Sequence, residues 1–397
     1  MMEQVPLPEI TPRGTALQKA LAGQNLDLAL VHQAADLFYY TGTLVDGFLA
    51  VAPQGSPLLL VRRPQHRIAA APPAWPQVFY NNLKEIPALL GSYGLKPEGA
   101  VGLELDVMPA GFYQRVQEQL FPQHPIRDVS PLIRQQRMVK SSYEIEQLRR
   151  AAAIMDQAFE QAPELIKPGI SELELSAALE YRLRLLGHQG MVRVRNWDLE
   201  LHYGHVLSGT AGLHPAYTDT PSGGLGFSPA FPQGPSLKKL APGEPISIDL
   251  VACVNGYLVD MTRMYALGSL PEKAWEAWRA VRELHETFQQ EARPGVKPGQ
   301  LYHRLWDLVR DRGLQDYFMG SGPDRVGFLG HGVGLELDEF PFISARFPFP
   351  LAENMVVAFE PKLFLPEIGM VGLEDTGVIT PAGVEWLTRS PRDIMII

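Results

Sequence analysis

Apolar and polar positions divide the chain into short runs with two different rhythms. Before residue 135, five-residue apolar stretches recur at Asp27-Leu-Ala-Leu-Val31, Gly47-Phe-Leu-Ala-Val51 and Pro57-Leu-Leu-Leu-Val61. Their length and bounding turn residues predict strands, while Ala110 to Gln119 is spaced as a short helix. Strands alternating with short helices predict a compact α/β domain over residues 1–138. Arg134 to Lys140 reads as a basic strand, after which Ser141 or Ser142 caps a helix. Residues 139–397 then repeat one pattern: amphipathic helix, Pro-Gly, second helix. It passes through Pro168-Gly169 and again through Pro294-Gly295, 126 residues later (294 − 168). Each helix pair precedes a pair of apolar strands, the order that a pseudo-twofold sheet flanked by helices requires.

The strand pairs fix their own register. Pro245 to Val254 and Tyr257 to Arg263 flank Asn255-Gly256, the strongest short hairpin signal. A two-residue turn sets Val254 against Tyr257 and Asp260 against Val251, and Asp249 shares the face of Val251. Asp249 and Asp260 become diagonal neighbours with Cβ atoms roughly 7–8 Å apart. In the second pair, Met355 to Leu365 and Met370 to Ile379 flank Pro366-Glu367-Ile368. A hairpin centred on Glu367 sets Glu360 opposite Glu374 on one face.

A single acid in a strand is ordinarily a solvated residue. Two acid pairs on shared faces inside apolar strands point elsewhere, because four carboxylates and the imidazole of His331 need cations to neutralise them. Hard oxygen donors with one nitrogen suit Mn, Co, Fe or Zn. The flanking glycines of Gly330-His331-Gly332 let the backbone around His331 pack closely, and the acids are what it would pack against.

The stretches Ile248-Asp249, Gly256-Tyr257 with Asp260-Met261-Thr262-Arg263, Gly330-His331-Gly332-Val333-Gly334-Leu335-Glu336, Phe359-Glu360-Pro361 and Gly372-Leu373-Glu374-Asp375-Thr376 together resemble metallopeptidase family M24. This group holds the prolidases, aminopeptidases P and methionine aminopeptidases. The resemblance implies a pita-bread fold in the carboxy-terminal domain. Asp27-Leu-Ala-Leu-Val31 followed by Tyr39-Tyr-Thr-Gly42 is similar to the amino-terminal α/β domain of creatinases and prolidases, and implies a homodimer. It further implies two divalent ions per chain (Mn, Co, Zn or Fe) held by Asp249, Asp260, His331, Glu360 and Glu374 and bridged by hydroxide. Glu360 would then carry a proton from that water to the leaving nitrogen, in hydrolysis of Xaa-Pro bonds in short peptides.

The chain also departs from the family pattern. The family places a second histidine seven residues after the ligand histidine, where this chain has Asp338. An upstream histidine is matched either by His214, from the Ser208-Gly209 start, or by Pro232, counting back from Asp249. His202 and His205 are candidates to replace the missing histidine. Arg193 and Arg195, alternating on an expected strand, are candidates to grip a substrate carboxylate. The alternatives to a dinuclear Xaa-Pro peptidase are a creatinase-like hydrolase of another small C–N substrate and a catalytically silent relative that binds a peptide or partner, which Asp338 favours.

Bulk properties narrow the classes further. A net charge of −9 argues against binding to nucleic acid phosphates. No apolar run reaches the 18 residues of a membrane span, and the start lacks a secretory pattern. One cysteine among 397 residues fits a reducing cytoplasm. The segment Thr220 to Pro235 is not a phosphate loop, since no lysine follows its glycines at the required spacing, and it reads as a loop near the site mouth.

Overall fold

Each apolar run before residue 135 becomes a strand in the computed structural model, which describes residues 4–70, 74–195, 199–201 and 203–397. The chain divides into two units, Met1–Arg137 and Met138–Ile397. The first holds β1 (Leu26–Val31), β2 (Asp46–Val51), β3 (Leu58–Arg63), β4 (Gln77–Phe79), β5 (Ala100–Leu103) and β6 (Ile126–Asp128). They form one sheet in the order β4-β3-β2-β1-β5-β6, antiparallel where β1 meets β2 and β2 meets β3, parallel elsewhere. Its central strands are buried almost along their whole length, which is why they read as continuous apolar runs instead of alternating ones. Leu28, Leu30, Phe48 and Leu60 pack there with Ile86, Leu90, Val116 and Leu120 from helices over the sheet.

The basic strand expected over Arg134 to Lys140 does not form. Ser130–Met138 is a helix instead. Asp128 Oδ1 accepts the Ser130 amide at 2.9 Å, and Pro131 sits in the first turn, where its missing N–H costs nothing. Ile133 and Arg137 are both buried one turn apart, and Arg137 Nη1 pairs with Asp36 Oδ1 at 2.5 Å. The helical period overrode the charge pattern.

The second unit carries two helix pairs. Ser142–Leu165 opens on Ser141, whose hydroxyl accepts the Glu144 amide while Glu144 reaches back to the Ser141 amide; Glu172–Leu186 opens the same way on Ser171 and Glu174. Glu272–Glu291 and Pro298–Asp311 form the second pair. After the first pair come β7 (Gly204–Ser208) and the hairpin of β8 (Pro245–Val254) and β9 (Tyr257–Ala266). After the second come β10 (Phe328–Gly332), β11 (Glu339–Ser344), β12 (Val356–Phe359), β13 (Lys362–Leu365), β14 (Gly369–Gly372), β15 (Asp375–Thr380), β16 (Gly383–Trp386) and β17 (Met395–Ile396). The sheets run β17-β9-β8-β7 and β11-β10-β12-β15-β16, with β13-β14 as a separate ribbon.

The β8–β9 hairpin turns on Asn255 at φ 49° and Gly256 at φ 86° and pairs Val254 with Tyr257 and Val251 with Asp260. The segment from Val356 to Thr380 is one long hairpin with a break. Val356 to Phe359 pair with Val378 to Asp375, and Lys362 to Leu365 pair with Gly372 to Gly369 in the same register, around a tip where Glu367 has φ 64°. The break falls at Glu360-Pro361 and Leu373-Glu374. Pro361 accepts the Leu373 amide at 3.3 Å but has no N–H to return, and Glu374 exchanges two backbone hydrogen bonds of 3.3 Å with Thr262 of β9. The second hairpin thus lends one residue to the first sheet, and both sheets meet at that residue.

The left-handed turn is a test of the register. Gly256→Ala forces a Cβ into φ 86° and should destabilise by about 1–2 kcal/mol, read as a lowered urea midpoint with an unchanged denaturant slope.

Candidate functional site

The break in the second hairpin brings the five candidate ligands together. Asp249 leaves β8, Asp260 leaves β9 and His331 leaves β10, while Glu360 and Glu374 sit at the two sides of the break. Asp260, His331, Glu360 and Glu374 are buried, and the Asp249 side chain keeps 17% of its exposure. His331 can approach because its neighbours lack side chains: a Cβ on Gly330 would lie 2.5 Å from the Ala358 carbonyl oxygen, and one on Gly332 would lie 2.2 Å from that of Phe340. Its Nδ1 lies 2.9 Å from the Leu337 carbonyl and 3.2 Å from that of Gly332. Carbonyl oxygens only accept, so Nδ1 carries the proton and Nε2 is the atom that faces the acids. Nε2 is 3.7 Å from Glu360 Oε1 and 4.0 Å from Glu374 Oε1.

One donor atom each from Asp260, His331 and Glu374 falls within 4.8 Å of the others. Asp260 Oδ1 and Glu374 Oε1 are buried without a hydrogen-bond partner. A buried group of two carboxylates and one imidazole that contains two orphaned oxygens has the donor types that divalent cations take, and unpaired buried acceptors are otherwise strongly unfavourable.

One oxygen each of Asp249, Glu360 and Glu374 already meets a cation, and that cation is a side chain of the protein. Lys362 Nζ stands 2.8 Å from Glu360 Oε2, 3.0 Å from Asp249 Oδ2 and 3.4 Å from Glu374 Oε2. Its side chain is 1% exposed. Thr262 Oγ1 adds a hydrogen bond of 2.8 Å to Glu374 Oε2. Sequence reasoning passed over Lys362, although a strand supplies the signal: residues two apart share a face, so a lysine two beyond Glu360 in an apolar run must point where Glu360 points.

Proton affinities follow from this division. Burial pushes the Asp260 carboxyl well above the usual range, with Glu374 and Asp249 adding repulsion. Burial also lifts Glu374 to about 8, against the pull of Lys362. Burial works to raise Asp249 too, but Lys362 and His205 outweigh it and hold that carboxyl low. Burial disfavours the charged forms of Lys362 and His331, yet the facing acids keep both pKa values raised.

The other candidate residues lie in several settings. His205 is half-buried in β7 directly across from Asp249. Arg193 is half-buried, its carbonyl accepting the Leu337 amide at 2.7 Å. Residues 191–195 are not the expected strand, and Arg195 Nη1 is 3.7 Å from Glu336 Oε2, both side chains buried. That burial corrects the view of Arg195 as a grip for substrate. His214 has an exposed side chain at the end of the turn Gly209–Leu213, while its carbonyl accepts the amides of Gly223 and Gly224. His202 lies outside the described residues. Asp338, half-buried, places Oδ1 3.4 Å from His331 Nδ1. In Thr220–Pro235 the Gly234 amide donates to the Gly223 carbonyl and the Gly226 amide to that of Gly234, which closes a compact loop.

Next to Glu374 the chain builds a second charge cluster. Asp375 is fully buried and lies 2.6 Å from Arg263 Nη2, 2.7 Å from Arg392 Nε and 3.1 Å from His285 Nε2. Burial opposes its ionisation, but the Arg263 guanidinium, the hydrogen-bonding His285 ring and the Arg392 guanidinium hold its carboxyl far below the usual range, while burial keeps the His285 pKa below its ordinary value. Arg263 Nη1 also donates to the carbonyls of Thr262 at 2.9 Å and Glu374 at 2.7 Å, pinning the backbones that carry the site.

Known proteins share both the sequence and the shape. The sequence model described as Metallopeptidase family M24 matches residues 146–381, and that of the Creatinase/Prolidase N-terminal domain matches residues 13–139. A protein of Pyrococcus furiosus named Xaa-Pro dipeptidase is 28% identical over 383 residues, covering 96% of this chain and 98% of the relative. The crystal structure of the prolidase from Pyrococcus horikoshii superposes with a TM-score of 0.81 at 25% identity, covering 97% of this chain and 100% of that one. The prolidase from Pyrococcus furiosus superposes with a TM-score of 0.77 at 26% identity, covering 94% and 100%. The two-sheet carboxy-terminal unit is therefore a pita-bread fold and the first unit a creatinase/prolidase-like domain.

Arg263→Met removes one of the two guanidinium cations around a fully buried carboxylate. It should destabilise the chain by about 3–5 kcal/mol, measured by chemical denaturation, whereas Arg282→Met on the surface should change little.

Proposed function

The chain belongs to metallopeptidase family M24, and from that premise we propose that it hydrolyses Xaa-Pro bonds in short peptides with the help of a divalent ion. The observation that carries this reading is the buried set of Asp260, His331 and Glu374, each with a donor atom within 4.8 Å of the others and with two carboxylate oxygens left without a partner. The relatives named Xaa-Pro dipeptidase, matched over nearly the full length of both chains, support the choice of substrate. Mn, Co, Zn or Fe suits this mix of oxygen and nitrogen donors.

An ion held there supplies Lewis acidity, which acidifies a water molecule and polarises the scissile carbonyl. The chain's own residues do the rest. Glu360 turns Oε1 toward His331 and has Oε2 anchored by Lys362, so one oxygen is free to take a proton from water and pass it to the leaving nitrogen. His331 is oriented by the Leu337 carbonyl. Among the substrate candidates that are described, His205, across from Asp249, is preferred to Arg193 and His214.

The form with hydroxide bridging two ions, expected from the sequence, requires Lys362 to withdraw from three carboxylates. Residues 1–138 act in this reading as the amino-terminal domain of a cytoplasmic homodimer and residues 139–397 as the catalytic domain. One observation favours the second reading, a creatinase-like hydrolase or a silent peptide-binding relative: a lysine ammonium inside the cage.

A panel of Xaa-Pro dipeptides assayed with Mn, Co, Zn and Fe separates these readings. The proposal expects metal-dependent turnover that Glu360→Gln lowers by about 10²–10⁴-fold in kcat. Equal turnover in the presence of a chelator selects the creatinase-like reading, and peptide binding without turnover selects the silent one.

A further inference from the structure

We propose that Lys362 is a resident cation that takes the place of one of the two divalent ions, so that the cage accepts a single ion, between Asp260, His331 and Glu374. This rests on the reading of the cage as a metal site and specifies its occupancy. Three observations carry it.

The first is geometric. An ion bound by Asp249, Glu360 and Glu374 would lie about 2.0–2.2 Å from their oxygens, within the space where Lys362 Nζ already meets the same three groups at 2.8–3.4 Å. An ammonium has three N–H donors, and here each has its own carboxylate. The second is packing. Lys362 pairs with Gly372 across the β13–β14 ribbon, and a Cβ on Gly372 would lie 2.5 Å from Lys362 Cγ. The missing side chain is the room the lysine stem uses. The Lys362 backbone is fixed as well, its carbonyl accepting the Met319 amide at 2.9 Å.

The third is charge. Four carboxylates, all ionised as ligation of an ion requires, carry −4; one ammonium and one divalent ion bring the sum to −1. A second divalent ion would bring it to +1 and set the ammonium against two dications. Asp260 Oδ1 and Glu374 Oε1, the oxygens with no partner, both belong to the donor set that Lys362 leaves open.

The test is metal stoichiometry of the purified full chain with Mn(II), by elemental analysis and calorimetric titration, together with its electron paramagnetic resonance spectrum. The wild type should bind one Mn(II) per chain and show the six-line spectrum of an isolated ion. Lys362→Gly should bind two and show the multiline spectrum of an exchange-coupled pair. Lys362→Met, which keeps the stem and removes the charge, should still bind one, with its melting temperature raised more by Mn(II) than that of the wild type. Two ions in the wild type would overturn the proposal and leave the metallopeptidase reading standing. One ion in both wild type and Lys362→Gly would overturn it as well, because the lysine would then not be what excludes the second. No ion in either would overturn both the proposal and the reading beneath it.

Discussion

Four acids and an imidazole gathered in the interior set the terms for the whole carboxy-terminal unit. Such charge is tolerated only where each carboxylate finds a cation or a donor. The chain meets the requirement for Glu374 and Asp375 on two sides of one strand, and leaves Asp260 to the candidate ion. Glu374 and Asp375 are consecutive, so their side chains leave the strand in opposite directions. Glu374 turns toward Lys362, Thr262 and His331, and Asp375 turns toward Arg263, His285 and Arg392. Arg263 belongs to both sides, since its guanidinium binds the Asp375 carboxylate and the Glu374 carbonyl together. Moving this strand by one residue would exchange the two acids and leave both clusters without their counter-charges.

That constraint explains the break in the long hairpin. Glu360 and Glu374 oppose one another at a position where an antiparallel ladder makes no hydrogen bond between the pair, so the backbone groups of both turn outward, and the Glu360 amide donates to the Leu329 carbonyl at 3.0 Å. Pro361 accepts the Leu373 amide but has no N–H to return, and Glu374 uses its outward backbone groups to pair with Thr262 of the opposite sheet. The same exchange places Thr262 Oγ1 on Glu374 Oε2. The outward backbone groups of Glu374 therefore couple the joining of the two pseudo-symmetric halves to the placement of a candidate ligand.

Much of this was legible from the sequence because strands and two-residue turns leave little choice. Asn255-Gly256 fixes the register of Asp249 and Asp260, and a tip at Glu367 sets Glu360 and Glu374 in register. Contacts decided by tertiary packing were not legible. Arg134 to Lys140 looked like a basic strand because the acid that neutralises Arg137, Asp36, lies 101 residues earlier. Arg195 looked available to a ligand because Glu336, its buried partner, is remote in sequence. Lys362 was half legible: its face follows from its spacing to Glu360, but its neutralising role needs Asp249, 113 residues away.

An ammonium and a divalent ion neutralise acids alike, but their chemistry differs. The ammonium is attached to the chain, so the cage can assemble while the protein folds, before any ion is acquired, and three of its acids are already held in place. In return it offers no vacant coordination position and cannot polarise a carbonyl as a Lewis acid. Any hydrolytic power must then come from the Asp260, His331 and Glu374 side, with Asp249 reduced from a ligand to an anchor for Lys362. Glu360 stands between the two, one oxygen on the lysine and the other toward His331. A proton carrier tethered on one side and open on the other is suited to a single-ion site, because the lysine fixes its position without competing for the water it must deprotonate.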